Sequence, residues 1–254
     1  MFIGHYGVAL AGRRASPRLS LGLLFLAVQF LDVLFAIFVL LGIEKLRIVH
    51  GFTPYNPYDL YSMQYTHSLA GALFWSAFVG WLCWMALRRT PAGERRMAAL
   101  VLGGAVFSHF LLDVPMHTPD MPLWPGAGAP KIGLGLWNHR DAAILAELAV
   151  LAAGGWIYLR SSRPKSRFAR IGATAFAIFL VAMTVATPFQ PDPKSPAAFS
   201  VSALSAYLGI SVIAALVDRG REMTIGTPSP GTPACRAARS ARTPAWSRPA
   251  GSAG

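Results

Sequence analysis

Residues 66–87 read THSLAGALFWSAFVGWLCWMAL, and residues 97–114 read MAALVLGGAVFSHFLLDV. Each run approaches the roughly 20 apolar residues a helix needs to cross a bilayer. Between them stands RRTPAGERR, residues 88–96, with four arginines. The pattern predicts two membrane spans joined by a short basic turn. Both runs are too long for strands, and neither alternates with period two.

Working outward, four further runs have the same character: 19–43, 141–159, 171–189 and 197–217. The whole chain has 254 residues, of which 54% are apolar and only 13% charged. That charged share is about half the usual value for soluble domains, which excludes a disordered chain and argues against an ordinary soluble enzyme. Two cysteines, Cys83 in an apolar run and Cys235 in a polar segment, give no disulfide framework and no zinc-type pair.

The net charge is +12. A basic balance can mean nucleic acid or a membrane surface, and the placement of the charges separates the two. Divided at the six runs, alternate non-spanning segments carry 18 and 5 of the 23 Lys and Arg residues. That asymmetry is the positive-inside pattern for six spans with both termini in the cytoplasm. No aromatic-interleaved basic face appears, so no nucleic-acid partner is expected. Residues 19–43 follow Arg13, Arg14 and Arg18 but are too long for a signal-peptide core, and they read as the first retained span. The expectation is an all-α, polytopic membrane protein with a helical domain over 1–217 and a disordered basic tail over 218–254. Its expected place is a bacterial inner membrane.

Ionisable residues inside a span are costly, so each is a candidate for a site or for a buried hydrogen bond between helices. Ser108-His109-Phe110-Leu111-Leu112-Asp113 puts His109 and Asp113 on one helix face at i,i+4. The pair either holds one metal ion or forms a hydrogen bond near a helix end. His67, in Thr66-His67-Ser68, stands at the outer end of the second span, with Thr66 as a candidate N-cap. Asp32 lies halfway through the first span and Glu147 two turns into the fourth. Five of six histidines (His50, His67, His109, His117 and His139) fall at or near the outer side under this topology. The outer loop 115–140 holds His117, Asp120, Trp124 and Trp137, and reads as a binding lid or as interfacial anchoring. Neutral imidazole and carboxylate together suit zinc and related divalent ions. There is no Walker motif, no Rossmann glycine pattern, no nucleophile elbow and no His-Glu-x-x-His.

Gly4-His5, Leu31-Asp32, Thr66-His67-Ser68, Ser108-His109 with Asp113, and Leu123-Trp124-Pro125 follow one another in that order. In this order the chain resembles a family of bacterial inner-membrane metal-dependent hydrolases over roughly residues 1–126. It is more distantly similar to the zinc-dependent phospholipase C and single-strand nuclease group. The resemblance implies that His5, Asp32, His67, His109 and Asp113 hold one or two divalent ions, most simply zinc. It also implies that Glu147, His117 or Asp120 serves as an extra ligand or general base. Membrane lipids are then the surroundings, and a phosphoester or lipid-like molecule the substrate. The chain departs from the family pattern at Leu34 and Phe35, where the family has Asp and His, and at Ser62-Met63-Gln64. For His5 to reach the outer side, residues 2–11 must form a half-helix that re-enters the bilayer. The alternative is a non-catalytic membrane protein, such as a small transporter, in which Asp32 and Glu147 serve ion coupling or helix packing.

Overall fold

A computed structural model describes residues 2–224. The first helix, α1, spans His5–Ala15, followed by α2 (Leu21–Val28) and α3 (Phe30–Leu40). Next come the hairpin β1 (Lys45–Ile48) and β2 (Tyr58–Ser62), then α4 (Leu69–Ala86) and α5 (Ala92–Met116). A second small hairpin, β3 (Met121–Pro122) and β4 (Lys131–Ile132), leads into α6 (Arg140–Arg160). After β5 (Ser162–Pro164) come α7 (Arg167–Ala186), α8 (Pro196–Arg219) and β6 (Arg221–Met223). Strand β6 pairs antiparallel with β5. The protein is therefore an all-α, multi-pass membrane protein whose strands only clip its loops.

Helices α4, α5, α6, α7 and α8 are each long and apolar enough to cross a membrane. The expected first span is broken: α2 and α3 meet at an angle of 56°. The break falls at Gln29, whose backbone leaves helical geometry (φ −102°, ψ 7°). Its buried side chain does not point along the helix but donates from Nε2 to the Phe2 carbonyl at 2.8 Å. A polar side chain with a partner outside the helix thus accounts for the bend. The expected N-cap at Thr66 is replaced by Ser68, whose hydroxyl accepts from Gly71 N at 2.9 Å.

Helix α1 is the largest departure from a six-span reading. Its 11 residues cover about 16 Å, roughly half the apolar thickness of a bilayer. It is the half-helix that His5 requires. Its first residues sit beside Asp113 at one end of α5, and Arg18 beyond its far end pairs with Glu94 at the other. Residues 2–5 therefore lie at the Asp113 end of α5, opposite the end that carries Glu94. Two glycines make this packing possible. A Cβ on Gly7 would stand 2.2 Å from the Val150 carbonyl oxygen, and one on Gly154 would stand 1.8 Å from that of Gly7. Only hydrogen fits where α1 crosses α6.

The arginine-rich end is tied together by Asp218. Its carboxylate accepts from Arg13 Nε at 2.9 Å, Tyr158 Oη at 2.9 Å and Leu21 N at 3.2 Å. Ordered structure thus continues through Met223, past the expected boundary at 217. The rest of the expected tail, with Cys235, lies outside the described residues.

Candidate metal centre

Four elements bring their polar residues to one point near the Asp113 end of α5. Helix α5 supplies His109 and Asp113, one turn apart. Helix α3 supplies Asp32, α1 supplies His5, and the segment before α4 supplies His67. His109 Nε2 lies 3.0 Å from Asp113 Oδ2, 3.5 Å from Asp32 Oδ1 and 3.3 Å from His67 Nε2. His67 Nε2 is 3.2 Å from Asp32 Oδ1 and 3.9 Å from Asp113 Oδ2. Two overlapping triads, His5–His109–Asp113 and Asp32–His67–His109, each offer ligand atoms within 4.8 Å of one another and so could hold a metal ion. All five residues that the sequence nominated as ligands are brought together.

The second ring nitrogen of each histidine decides how the first is used. His109 Nδ1 lies 2.7 Å from the Val28 carbonyl, which can only accept, so Nδ1 carries the hydrogen. Val28 ends α2, and carbonyls of a last helical turn lack partners inside the helix. The break at Gln29 thus provides the acceptor that sets the His109 tautomer. His67 Nδ1 lies 2.8 Å from Thr66 Oγ1, and Thr66 itself donates to Glu44 Oε2 at 2.6 Å. Thr66 must then accept from His67, which again leaves Nε2 as a lone pair. Two lone-pair nitrogens 3.3 Å apart repel each other unless a cation or a proton stands between them.

His5 adds to this demand. It is fully buried, stacks on His109 at 4.0 Å between ring centroids, and makes no hydrogen bond through either nitrogen. Its Nε2 stops 3.2 Å from Asp113 Oδ1 without hydrogen-bond geometry. Its polar contact is thus the Asp113 carboxylate, and a buried imidazole so sparsely partnered is costly unless a bound group engages it.

Of the residues nominated for catalysis, His117 reaches the centre, Asp120 stands behind it on the far ring nitrogen, and Glu147 lies elsewhere. His117 Nε2 is 3.6 Å from Asp113 Oδ2, and its Nδ1 is 3.0 Å from Asp120 Oδ1. Asp120 also accepts from Thr118 Oγ1 at 2.9 Å. Burial alone would lower the His117 imidazole, but Asp113 and Asp120 outweigh it and hold it above its ordinary value. The field that favours a proton there also favours a metal cation. Glu147 is fully buried elsewhere: its oxygens accept from Phe2 N at 3.1 Å, Gly4 N at 2.9 Å and Tyr55 Oη at 2.8 Å. It therefore anchors the segment that carries His5. His139 is exposed, and His50 pairs with Asp192 at 2.8 Å on the outer surface.

Three groups escaped the sequence reading. Tyr207 of α8 donates to Asp32 Oδ2 at 3.0 Å. Trp137, weighed as an interfacial anchor, is buried with its ring 4.1 Å from that of His117. Glu44 holds Thr66 and accepts from Tyr65 N at 2.7 Å; burial pushes its carboxyl above the usual range against these donors. The single cue was chemical: a phenol in an Ala-rich span and an acid just after one each need a partner.

A cavity of about 570 Å³ opens from this centre, with Asp32, His67, Asp113 and His117 at its floor. Such a volume is in the range of small-molecule sites.

Fold and site together define a multi-pass helical membrane protein with a buried histidine–carboxylate cluster. The chain belongs to the YdjM inner membrane protein family, whose pattern matches residues 8–216. It is thus a multi-pass protein of the inner membrane. Comparison with curated proteins and with solved structures found no match.

Proposed function

We propose that the protein is a membrane-embedded, metal-dependent hydrolase acting at the outer side of the inner membrane on a phosphoester or lipid-like substrate. The observation that carries this reading is the pair of tautomer-fixed imidazoles whose free Nε2 atoms stand 3.3 Å apart, with carboxylate oxygens 3.0–3.5 Å from them. Tetrahedral coordination at about 2.0 Å separates ligand atoms by about 3.3 Å, so the spacing suits zinc. His67, His109, Asp32 and Asp113 would hold the ion, with His5 and His117 completing the set. Zinc bound there supplies an activated water near neutral pH and polarises the ester oxygen.

The chain's own groups have separate duties. Val28, Thr66 and Asp120 orient three imidazoles through Nδ1, the usual outer support of ligand histidines. Tyr207 holds one oxygen of Asp32, so the other faces the centre. Asp113 presents Oδ1 to His5 and Oδ2 to His67, His109 and His117, so its carboxylate would take part in holding an ion. Glu147 keeps His5 in place and takes no proton from substrate.

Elemental mass spectrometry on detergent-purified protein tests the reading. About one or more zinc per chain, lost in His109→Ala, is the expected result. No bound metal after reconstitution with zinc overturns it, and favours the non-catalytic alternative.

A further inference from the structure

The cavity runs on from the polar floor to a second, apolar end. There its walls are Met183 near the end of α7, and Phe199, Ala203 and Ala206 along α8. These residues belong to two helices long and apolar enough to cross a membrane, and the loop between them, through Gln190, Asp192 and Lys194, closes the cavity at the ends of those helices. Helix α7 buries only Phe176, Leu180 and Thr184, and stands loosely against its neighbours. Ser202 and Ala198 of α8 line the cavity and are exposed, so the cavity stays open along this face of α8.

Near the centre the lining changes character. Trp137 is 6% exposed, and its indole N–H has no hydrogen-bond partner. Indole only donates, so this wall suits an acceptor-rich group. Lys194 is the single Lys or Arg among the lining residues. An apolar slot between two span helices that joins a polar floor with an unused donor matches an amphipathic molecule lying across both.

We infer that the substrate of this centre is a membrane phospholipid that enters sideways, its acyl chain between α7 and α8 and its phosphate-bearing head against Trp137 and the histidine–carboxylate cluster. The inference rests on the metal-hydrolase reading. A small water-soluble phosphoester would leave the apolar α7–α8 half of the cavity unused.

The test uses the full chain in nanodiscs of phosphatidylethanolamine and phosphatidylglycerol containing a phosphatidylglycerol with a diazirine at its chain end. After photolysis, labelled peptides are mapped and zinc is counted in the same samples. The expected result is zinc-loaded protein labelled around Met183 and Phe199. Ala203→Trp or the milder Ser202→Trp should cut this label at least tenfold while retaining zinc. Val212→Trp, on the exposed side of α8, should leave it unchanged. Unlabelled phosphatidylglycerol should compete and glycerol 3-phosphate should not. Zinc retained with undiminished label in both slot variants, or competition by glycerol 3-phosphate alone, overturns lateral lipid binding and leaves the hydrolase reading standing. Absence of zinc from the wild type overturns the hydrolase reading and the substrate assignment with it, even if the slot is labelled.

Discussion

Thr66 shows how much of the centre depends on groups that never touch its middle. Its hydroxyl accepts from His67 Nδ1 and donates to Glu44, so one hydroxyl fixes both a tautomer and a buried carboxylate. Thr66→Val keeps the shape and removes both bonds. It should weaken zinc binding by about 10–100-fold, the usual effect of losing an outer partner of a ligand histidine. A chelator-competition titration measures this, and an unchanged affinity would show that His67 needs no such partner. The ligand histidines must also shed protons to bind metal. Affinity should therefore fall as the pH is lowered, because protons compete with the metal for the imidazole nitrogens. Phe35 stands edge-on to His67 at 5.4 Å and lines the cavity, so the apolar residue at this departure from the family pattern has become part of the wall.

At the scale of the element, α1 is the piece on which the site turns. It brings His5 to Asp113 because Glu147 receives the amides of Phe2 and Gly4, and because Gly7 and Gly154 let two backbones touch. Gly154→Ala should cost about 3 kcal/mol or more, since overpacking of a close crossing has no flexible neighbour to absorb it. Gly155→Ala, one residue on, meets nothing within 4 Å and should stabilise α6 by up to about 1 kcal/mol. Thermal unfolding of the two variants in the same detergent separates them, and equal midpoints would rule out the tight crossing. The broken α2–α3 span works in the same sense. An unbroken helix there would have no terminal carbonyl at Val28 for His109.

For the whole molecule, the two ends divide the labour. The arginine-rich end fixes orientation and binds α1, α2, α6 and α8 together through Asp218. The opposite end carries the centre and its cavity. With Cys235 removed, Arg89→Cys should react with an impermeant maleimide only after permeabilisation, and Lys131→Cys should react in intact spheroplasts. The reverse pattern would invert the topology. If the metal binds the folded state alone, saturation at a hundred times Kd adds about 2.7 kcal/mol. Chelation should accordingly lower the unfolding midpoint of the wild type and leave that of His109→Ala unmoved.

The spans were legible in the chain, because bilayer thickness fixes the length of an apolar run. The polar residues of the centre were also legible, because a charge inside a span is costly enough to demand a reason. What the linear order concealed was convergence. Nothing in the spacing of Glu44, Thr66 and Tyr207 tells that they meet His67 and Asp32, since their separations are set by how helices pack. Glu147 and His117 looked alike as nearby ionisable groups, yet one faces backbone amides and the other faces Asp113. That difference arises only where α1 folds back against α6, and it follows from two glycines too small to keep the helices apart.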